Sequence, residues 1–293
     1  MKKALYILVI ALAVASVPDA QAQRSRSRHG NNQRVQVRAG GGNATREVRV
    51  AGNFSEISSR GIADVEYRQS PDGRTRVEIQ GTANLIPYVE VENVRGILEI
   101  RWARNVDVRG SYRLLVVVSS PGVNKLSTSG TGNIRINGQL EARGLELSTH
   151  GTGDIRFSRI QCDDLRVVAR GTGDVEGGQV RSKNINIAVS GTGDVEISSI
   201  DAWDVEVSVS GTGDVEIGGR ARDAVLKLRG TGDLDAYRLK ATHVDATLSG
   251  VGGIKCYAEE SLRASASGIG SIVFGGNPRT VDVRGNKKAV KRK

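Results

Sequence analysis

The sequence has 293 residues, and its composition combines 37 glycines with an aromatic content of only 4%. Any hydrophobic core must therefore be built from Val, Ile and Leu, and the alternating aliphatic residues along most of the length exclude a largely disordered chain. The formal net charge of +10 comes from the two ends and does not describe the middle of the chain.

Residues 1–22 have the composition of a secretory signal peptide. Lys2 and Lys3 precede an apolar segment at residues 4–17, and Ala20–Gln21–Ala22 forms a cleavage site with small first and third residues. The apolar segment is shorter than the roughly 20 residues of a membrane-spanning helix, which argues against an anchor. We predict export to the periplasm, the outer-membrane surface or the outside of the cell, and a mature protein without a transmembrane segment.

The basic residues are concentrated at both ends of the mature chain. Once residues 1–22 are removed the net charge is +9, and eleven basic side chains lie within residues 24–38 and 284–293, which leaves the body near −2. We interpret the polar, Gly-rich residues 23–46 as a flexible basic linker and residues 285–293 as a basic C-terminal tail. Such ends can contact anionic surfaces, and the alternative is that they are simply solvated. No nucleic-acid partner is expected for an exported protein.

Residues 47–122 contain short alternating segments such as "REVRVAG", "TRVEIQG" and "ILEIRW", which predict strands. The "PDG" at Pro71–Gly73 lies between two such segments and predicts a hairpin turn. We expect this β-rich segment to cover one end of the domain that follows, since an open sheet edge invites unwanted pairing.

A strict internal repeat begins at Gly130. Variants of the octapeptide "SGTGDVEI" recur, and their first glycines fall at positions 130, 151, 171, 191, 211, 230, 250 and 268. A unit of this length cannot bury its own apolar face, so the units must stack on one another. The period therefore predicts a repeat architecture with one unit per coil.

The segment "DVEVSVSGTGDVEI" shows how one unit is built. Val205, Val207 and Val209 alternate with polar residues, a Gly-Thr-Gly turn follows, and the alternation resumes with Val215 and Ile217. This predicts strand, tight turn, strand and then a variable loop such as "SSIDAW". The glycines are expected to supply positive φ at the turn and to let adjacent backbones pack closely. The predicted fold class is all-β: a parallel β-solenoid with two main sheets and about eight coils of ~20 residues. It spans residues 47–284, with the repeats at about 126–275.

Stacking of the coils predicts columns of like side chains. Two buried columns are expected: Val175, Val195, Val215 and Leu234; and Ile187, Val207 and Leu228. The outer surface should carry an acidic double column: Asp154, Asp174, Asp194, Asp214 and Asp233, with Glu176, Glu196 and Glu216. The other sheet should present a flat face of mostly small side chains, chiefly serines. The aspartates have two interpretations, hydrogen bonding to the turn and calcium binding.

Other chemistry is less well supported by the motif. Phosphate-binding and dinucleotide-binding loops need a helix after the glycines, whereas Val-x-Ile follows here. His150 and His243 occupy ordinary repeat positions, and carboxylate pairs at the glycosidase spacing occur all along the face, so neither feature marks a catalytic site. Trp102 and Trp203 could stack on sugars, although the low aromatic content argues against an extended carbohydrate platform. We therefore predict no catalytic residues, no cofactor and no metal ligands.

The two cysteines are Cys162 and Cys256. In the stacked arrangement they lie about five coils apart, which corresponds to roughly 24 Å. A disulfide needs Cα atoms within about 7 Å of each other. We predict two free thiols.

The chain resembles the putative auto-transporter adhesin, head GIN domain family of exported bacterial proteins over roughly residues 47–285. The resemblance lies in an ordered set of segments: "GNFSEISSRGIADVEYRQ", "VEVENVRGILEIRW", "YRLLVVVSSPGVNKLSTSGTGNI", the repeated "SGTGD", and "FGGNPRTVDVRG". It implies a right-handed β-helix, similar in shape to pectin lyases but without their catalytic residues, and a role in adhesion.

Together these observations predict a non-catalytic exported β-solenoid that acts in adhesion or as a binding or structural module of the cell envelope. The expected partner is a surface or envelope polymer or protein, with possible contact between the basic ends and anionic surfaces. Two alternatives remain: a calcium-binding solenoid and a polysaccharide-acting enzyme similar to pectin lyases.

Overall fold

The computed structural model describes residues 34–293, and this part of the chain is built almost entirely from β-strands. The region before the long repeats contains a 3₁₀ helix at Ile86–Tyr88 and ten strands. These are β1 (Val35–Arg38), β2 (Asn43–Val48), β3 (Glu56–Arg60), β4 (Asp64–Gln69), β5 (Arg76–Thr82), β6 (Val89–Val94), β7 (Ile97–Trp102), β8 (Val106–Arg109), β9 (Leu114–Ser120) and β10 (Lys125–Thr128).

Seven long strands follow, one in each successive coil. They are β11 (Ile134–Thr149), β12 (Ile155–Ala169), β13 (Val175–Val189), β14 (Val195–Val209), β15 (Val215–Leu228), β16 (Leu234–Leu248) and β17 (Val251–Ala266). Each pairs in parallel with the next, so that Val195 lies opposite Val175 on one side and Val215 on the other. The predicted all-β parallel solenoid is confirmed.

Each long strand bends twice, so a coil has three sides. The alternation of buried and outward side chains breaks at residues 198–199 and again at 203–204, where two successive residues face outwards at least in part. These bends and the Gly-Thr-Gly turn form the three corners. The segment "SSIDAW", predicted to be a loop, is therefore part of β14, and its Ile200 and Ala202 point into the core.

The three sides are named by their outward residues. The aspartate side comprises residues 194–197 and their equivalents in other coils. The basic side comprises residues 199–203 and their equivalents. The serine side comprises residues 204–210 and their equivalents, and it ends at the next Gly-Thr-Gly corner.

The core is a set of aliphatic columns that run the length of the solenoid. The first predicted column is buried as expected: Val175, Val195, Val215 and Leu234 are at most 1% exposed. In the second column the residue opposite Val207 is Leu226, while Leu228 lies opposite Val209. The prediction misplaced Leu228 by two residues, in the coil from Gly211 to Gly230, which is one residue shorter than the three coils before it. Each buried Val, Leu or Ile side chain stabilises the fold by about 1.5–3 kcal/mol.

The solenoid begins earlier than the repeat suggests. Strand β3 pairs in parallel with β10, and β4 pairs in parallel with β11, so Ile57 lies opposite Leu126 and Val65 opposite Ile134. The N-terminal region thus supplies coils of its own. Antiparallel pairs cover it: β6 with β7, and β5 with both β2 and β9.

The hairpin predicted at Pro71–Gly73 does not form. Strands β4 and β5 both pair with β9, β4 in parallel and β5 antiparallel, so β9 lies between them. Alternation identified the two strands correctly, but their hydrogen-bonding partner is about 35 to 50 residues further along the chain, which a local turn signal does not reveal.

Two segments predicted to be flexible contain paired strands. In the predicted linker, β1 pairs with β8 and β2 with β5; its residues 23–33, like the signal peptide, lie outside the described residues. At the other end, β18 (Ile269–Gly275), β19 (Thr280–Gly285) and a 3₁₀ helix (Lys287–Ala289) lead to β20 (Val290–Arg292), which pairs with β18. These strands of three to seven residues depend on distant partners, so the local pattern is weak. Within residues 34–293 no helix has the length and apolar character needed to cross a membrane.

Candidate functional site

The Gly-Thr-Gly corners are places where successive backbones nearly touch. A Cβ atom built on Gly191 would lie 2.0 Å from the carbonyl oxygen of Gly171, and one on Gly193 would lie 2.2 Å from that of Gly173. Neither glycine has positive φ, so that part of the prediction was wrong, whereas the predicted close packing of adjacent backbones is confirmed. Glycine is required because any side chain would collide with the coil below. The motif is an architectural corner.

The aspartates after each corner form a hydrogen-bonded column. The backbone N–H of Asp194 donates to Oδ1 of Asp174 at 2.8 Å, and that of Asp214 donates to Oδ1 of Asp194 at 2.7 Å. In the other direction, the N–H of Val195 donates to the backbone carbonyl of Asp214 at 2.9 Å. One carboxylate oxygen per coil therefore replaces the backbone acceptor that the corner removes from the ladder. This geometry supports the turn-bonding interpretation.

The column is longer than the aspartate repeat. The N–H of Asp154 donates to Oδ1 of Asn133, and the N–H of Asn133 donates to Oδ1 of Asp64, each at 2.9 Å. At the other end the N–H of Gly253 donates to Oδ1 of Asp233 at 2.6 Å. The sequence interpretation missed Asn133 and Asp64, although "GIAD" at residues 61–64 is a degenerate form of the corner motif.

Basic residues neutralise part of the aspartate side. The Arg156 guanidinium lies 2.7 Å from Glu176 and 3.1 Å from Asp154, and Lys255 lies 2.9 Å from Asp235. The hydrogen bond from Arg156 holds the pKa of Glu176 below its usual value. Among the described residues, no group of three or more His, Cys, Asp or Glu side chains is placed to hold a metal ion.

Both cysteines are free, as predicted, and both are buried. Burial raises the pKa of the Cys256 thiol to about 12. Burial also raises the pKa of Cys162, whose Sγ lies 3.6 Å from Ser182 Oγ. Because the thiolate is the reactive form, neither side chain is a good nucleophile at neutral pH.

A groove of about 820 Å³ runs along the serine side next to the 203–204 corner. Its floor consists of aliphatic side chains such as Leu165, Ile185 and Val205, and its rims carry carboxylates and amides.

Farther along the serine side, His243 Nδ1 lies 2.8 Å from Ser261 Oγ. The carboxylate of Asp223 occupies the neighbouring coil but is bound to Arg222 at 2.6 Å. It is therefore not arranged as the partner that orients a catalytic imidazole.

The other predicted histidine, His150, is exposed, and its Nδ1 lies 3.0 Å from Ser148 Oγ.

The structure distinguishes the two tryptophans, which the sequence interpretation treated alike. Trp102 is partly buried, donates from Nε1 to the carbonyl of Val106 at 2.7 Å, and packs against Tyr88 at 5.8 Å between ring centroids. Trp203 lies on the basic side and is 59% exposed.

Trp203 stands at the rim of a second groove, of about 720 Å³, on the basic side. The floor of this groove consists of small side chains: Ala142, Cys162, Ser182 and Ala202. Its rims carry three basic residues, Arg143, Arg181 and Lys183, and three acidic ones, Glu141, Asp163 and Asp201. The surface therefore offers two long shallow grooves parallel to the solenoid axis, one with mainly acidic rims and one with rims of mixed charge.

A parallel solenoid with glycine corners and an aspartate column defines the class of this protein. The family model described as "Putative auto-transporter adhesin, head GIN domain" matches residues 53–180 and 177–278. The chain belongs to this family. No curated protein sequence matches it.

Solved structures of bacterial proteins share the fold. A putative adhesin from Parabacteroides distasonis ATCC 8503 has a TM-score of 0.65 at 22% identity, with 88% of this chain and 100% of that chain covered. One from Parabacteroides merdae ATCC 43184 has a TM-score of 0.64 at 20% identity, covering 88% and 99%. One from Bacteroides fragilis NCTC 9343 has a TM-score of 0.50 at 26% identity, covering 88% and 100%.

Proposed function

We propose that this protein is a non-catalytic, exported adhesion module that binds a polymer or protein of the cell surface or envelope. The observation that carries the proposal is the form of the exterior: shallow grooves extend over several coils, and the same residue position recurs along each rim. Such a surface fits an extended or repetitive partner. Membership of the adhesin-named family points the same way.

The chemistry of the exposed groups supports a binding role over catalysis. The aspartate Oδ1 atoms accept hydrogen bonds from the backbone of the next coil, so they are structural acceptors. The His243–Ser261 pair lacks an orienting carboxylate because Asp223 is engaged by Arg222. The acid and the base of a catalytic pair normally lie in different environments, which give them different pKa values. A regular column instead gives each carboxylate a similar environment, so it does not mark out such a pair.

The C-terminal end offers a further contact for anionic surfaces. Lys287, Lys288 and Lys291 are exposed there, and β20 holds them against the last coil. Basic clusters of this kind attract anionic lipid headgroups and phosphates at low ionic strength. Because residues 290–292 are a paired strand, removing the segment would expose β18, and substitution is the cleaner test.

The test is binding of the labelled mature protein to isolated outer membranes and to whole cells. Saturable binding that unlabelled protein displaces is expected, and non-saturable background alone would refute the proposed function. The triple variant Lys287→Gln, Lys288→Gln, Lys291→Gln should bind anionic vesicles more weakly at low salt. The matched control replaces three exposed arginines elsewhere, Arg74, Arg104 and Arg109, with glutamine.

A further inference from the structure

We propose that the basic side, with Trp203 at its rim, binds an acidic polysaccharide chain lying along the solenoid axis. This inference rests on the proposed function as a surface-binding module and names the chemical class of its polymer. It depends on three features of the basic side: an exposed indole, a surplus of positive charge, and a groove whose rims repeat from coil to coil.

The fold gives no reason for an indole at position 203. The equivalent positions in neighbouring coils are Asp163, Lys183 and Arg222, so the site is an outward one that polar side chains fill without difficulty. Trp203 is nevertheless 59% exposed, and the inward residue beside it is the small Ala202. An exposed indole has a flat apolar face and a polar N–H, which suits the C–H face and hydroxyl groups of a pyranose ring.

The charge on this side favours an anionic partner. From β11 to β17 its outward positions carry eight basic residues and five acidic ones: Arg143, Arg159, Arg181, Lys183, Arg220, Arg222, Arg238 and Lys240; and Glu141, Asp163, Asp201, Glu259 and Glu260. Asp163 pairs with Lys183 at 2.9 Å, and Asp201 lies between Arg181 at 3.5 Å and Arg220 at 3.7 Å. The Arg220 side chain is nevertheless 80% exposed. Its guanidinium presents a fork that matches a carboxylate or sulfate group.

The register places these groups in line. Arg181, Asp201, Arg220 and Lys240 are opposite one another in successive coils. Coils stack about 4.8 Å apart, a spacing comparable to one sugar unit in an extended chain. The groove between the rims is shallow and about 720 Å³ in volume. A polymer with acidic groups along its length therefore meets three basic groups in this column, with Asp201 between Arg181 and Arg220.

The single aromatic group argues for polysaccharide over single-stranded nucleic acid. Proteins that bind single strands stack successive bases on successive aromatic side chains. Here one indole stands among charged residues, which suits anchoring one sugar ring while the charges hold the rest of the chain.

The test measures binding of the mature protein to polygalacturonate by affinity electrophoresis, with neutral dextran and oligothymidylate for comparison. Polygalacturonate in the gel should slow the migration of the protein, and this effect should weaken as the salt concentration rises. Replacement Trp203→Ala should weaken binding about tenfold or more, as for a central anchoring Trp. The matched control is Tyr112→Ala, which removes another exposed aromatic away from the repeat coils and should leave binding unchanged. Arg220→Gln should weaken binding, whereas Arg170→Gln, outside the basic side, should not.

A second measurement reports on Trp203 directly. The chain contains two tryptophans, so Trp102→Phe leaves Trp203 as the only indole. Its fluorescence should become protected from iodide quenching when polygalacturonate is added. The inference is overturned if Trp203→Ala binds as the wild type does, if dextran binds equally well, or if oligothymidylate binds with the same dependence on Trp203. Adhesion to cells that survives in Trp203→Ala would leave the proposed function standing while removing this site.

Discussion

Replacing Gly193 with alanine tests why every corner carries glycine. A Cβ there would lie 2.2 Å from the carbonyl oxygen of Gly173, more than 1 Å inside normal contact. The backbones must separate at this corner, where the Gly193 and Thr192 N–H groups both donate to the Gly171 carbonyl. Overpacking costs about 1–3 kcal/mol and each weakened hydrogen bond about 0.5–1.5 kcal/mol. We expect a loss of about 3 kcal/mol, which lowers Tm by about 6–12 °C in a domain of this size.

The matched control is Gly144→Ala on β11. A Cβ at Gly144 meets no atom within 4 Å, and its φ is not in the positive range. Alanine should therefore be neutral or stabilising by about 0.5–1 kcal/mol, as for a glycine replaced inside a strand. Thermal unfolding followed by circular dichroism compares the two variants with the wild type. Equal Tm values for Gly193→Ala and the wild type would refute the argument that close approach, rather than backbone conformation, selects glycine here.

Other predictions follow from the same surface and core. Asp194→Ala should lower stability by about 1–2 kcal/mol in chemical unfolding, since the Asp214 N–H loses its acceptor; Asp194→Asn keeps that oxygen, as Asn133 does naturally, and should be close to wild type. If the aspartate column is structural, millimolar calcium followed by EGTA should leave Tm unchanged, and a reversible rise would favour the cation alternative. Thiol reagents at pH 8 should label Cys162 and Cys256 only after unfolding, and rapid labelling of folded protein would contradict their burial. Because burial raises the pKa of Cys256 to about 12, its thiol stabilises the folded state below about pH 9 relative to higher pH. The free energy of unfolding should therefore decrease as the pH rises towards 12.

The repeat period allowed the solenoid, its parallel register and most of the interior columns to be predicted. Constant spacing fixes which residues meet, as with Val195 and Val215, because a parallel stack places equal positions opposite each other. The same logic placed the two cysteines too far apart to pair. It misplaced Leu228 where one coil is a residue short.

What escaped prediction depends on contacts between distant segments. The pairing of β20 with β18, and of β9 with both β4 and β5, leaves only brief local patterns. At the corner glycines the close packing of backbones was predicted, whereas the positive φ predicted for Gly191 and Gly193 was wrong. Likewise, nothing local distinguishes the exposed Trp203 from Trp102, whose Nε1 is held by the Val106 carbonyl.

The parallel stacking of β11 to β17 has a consequence for how such a molecule changes over time. From β12 to β16 the coils meet through the same corner approach and the same aspartate bond, so gaining or losing one unit of about twenty residues there recreates an equivalent junction. Each added coil also lengthens all three sides by one step. The reach of the molecule can thus be altered by duplication alone, while the outward residues of each side diverge independently of the interior that supports them.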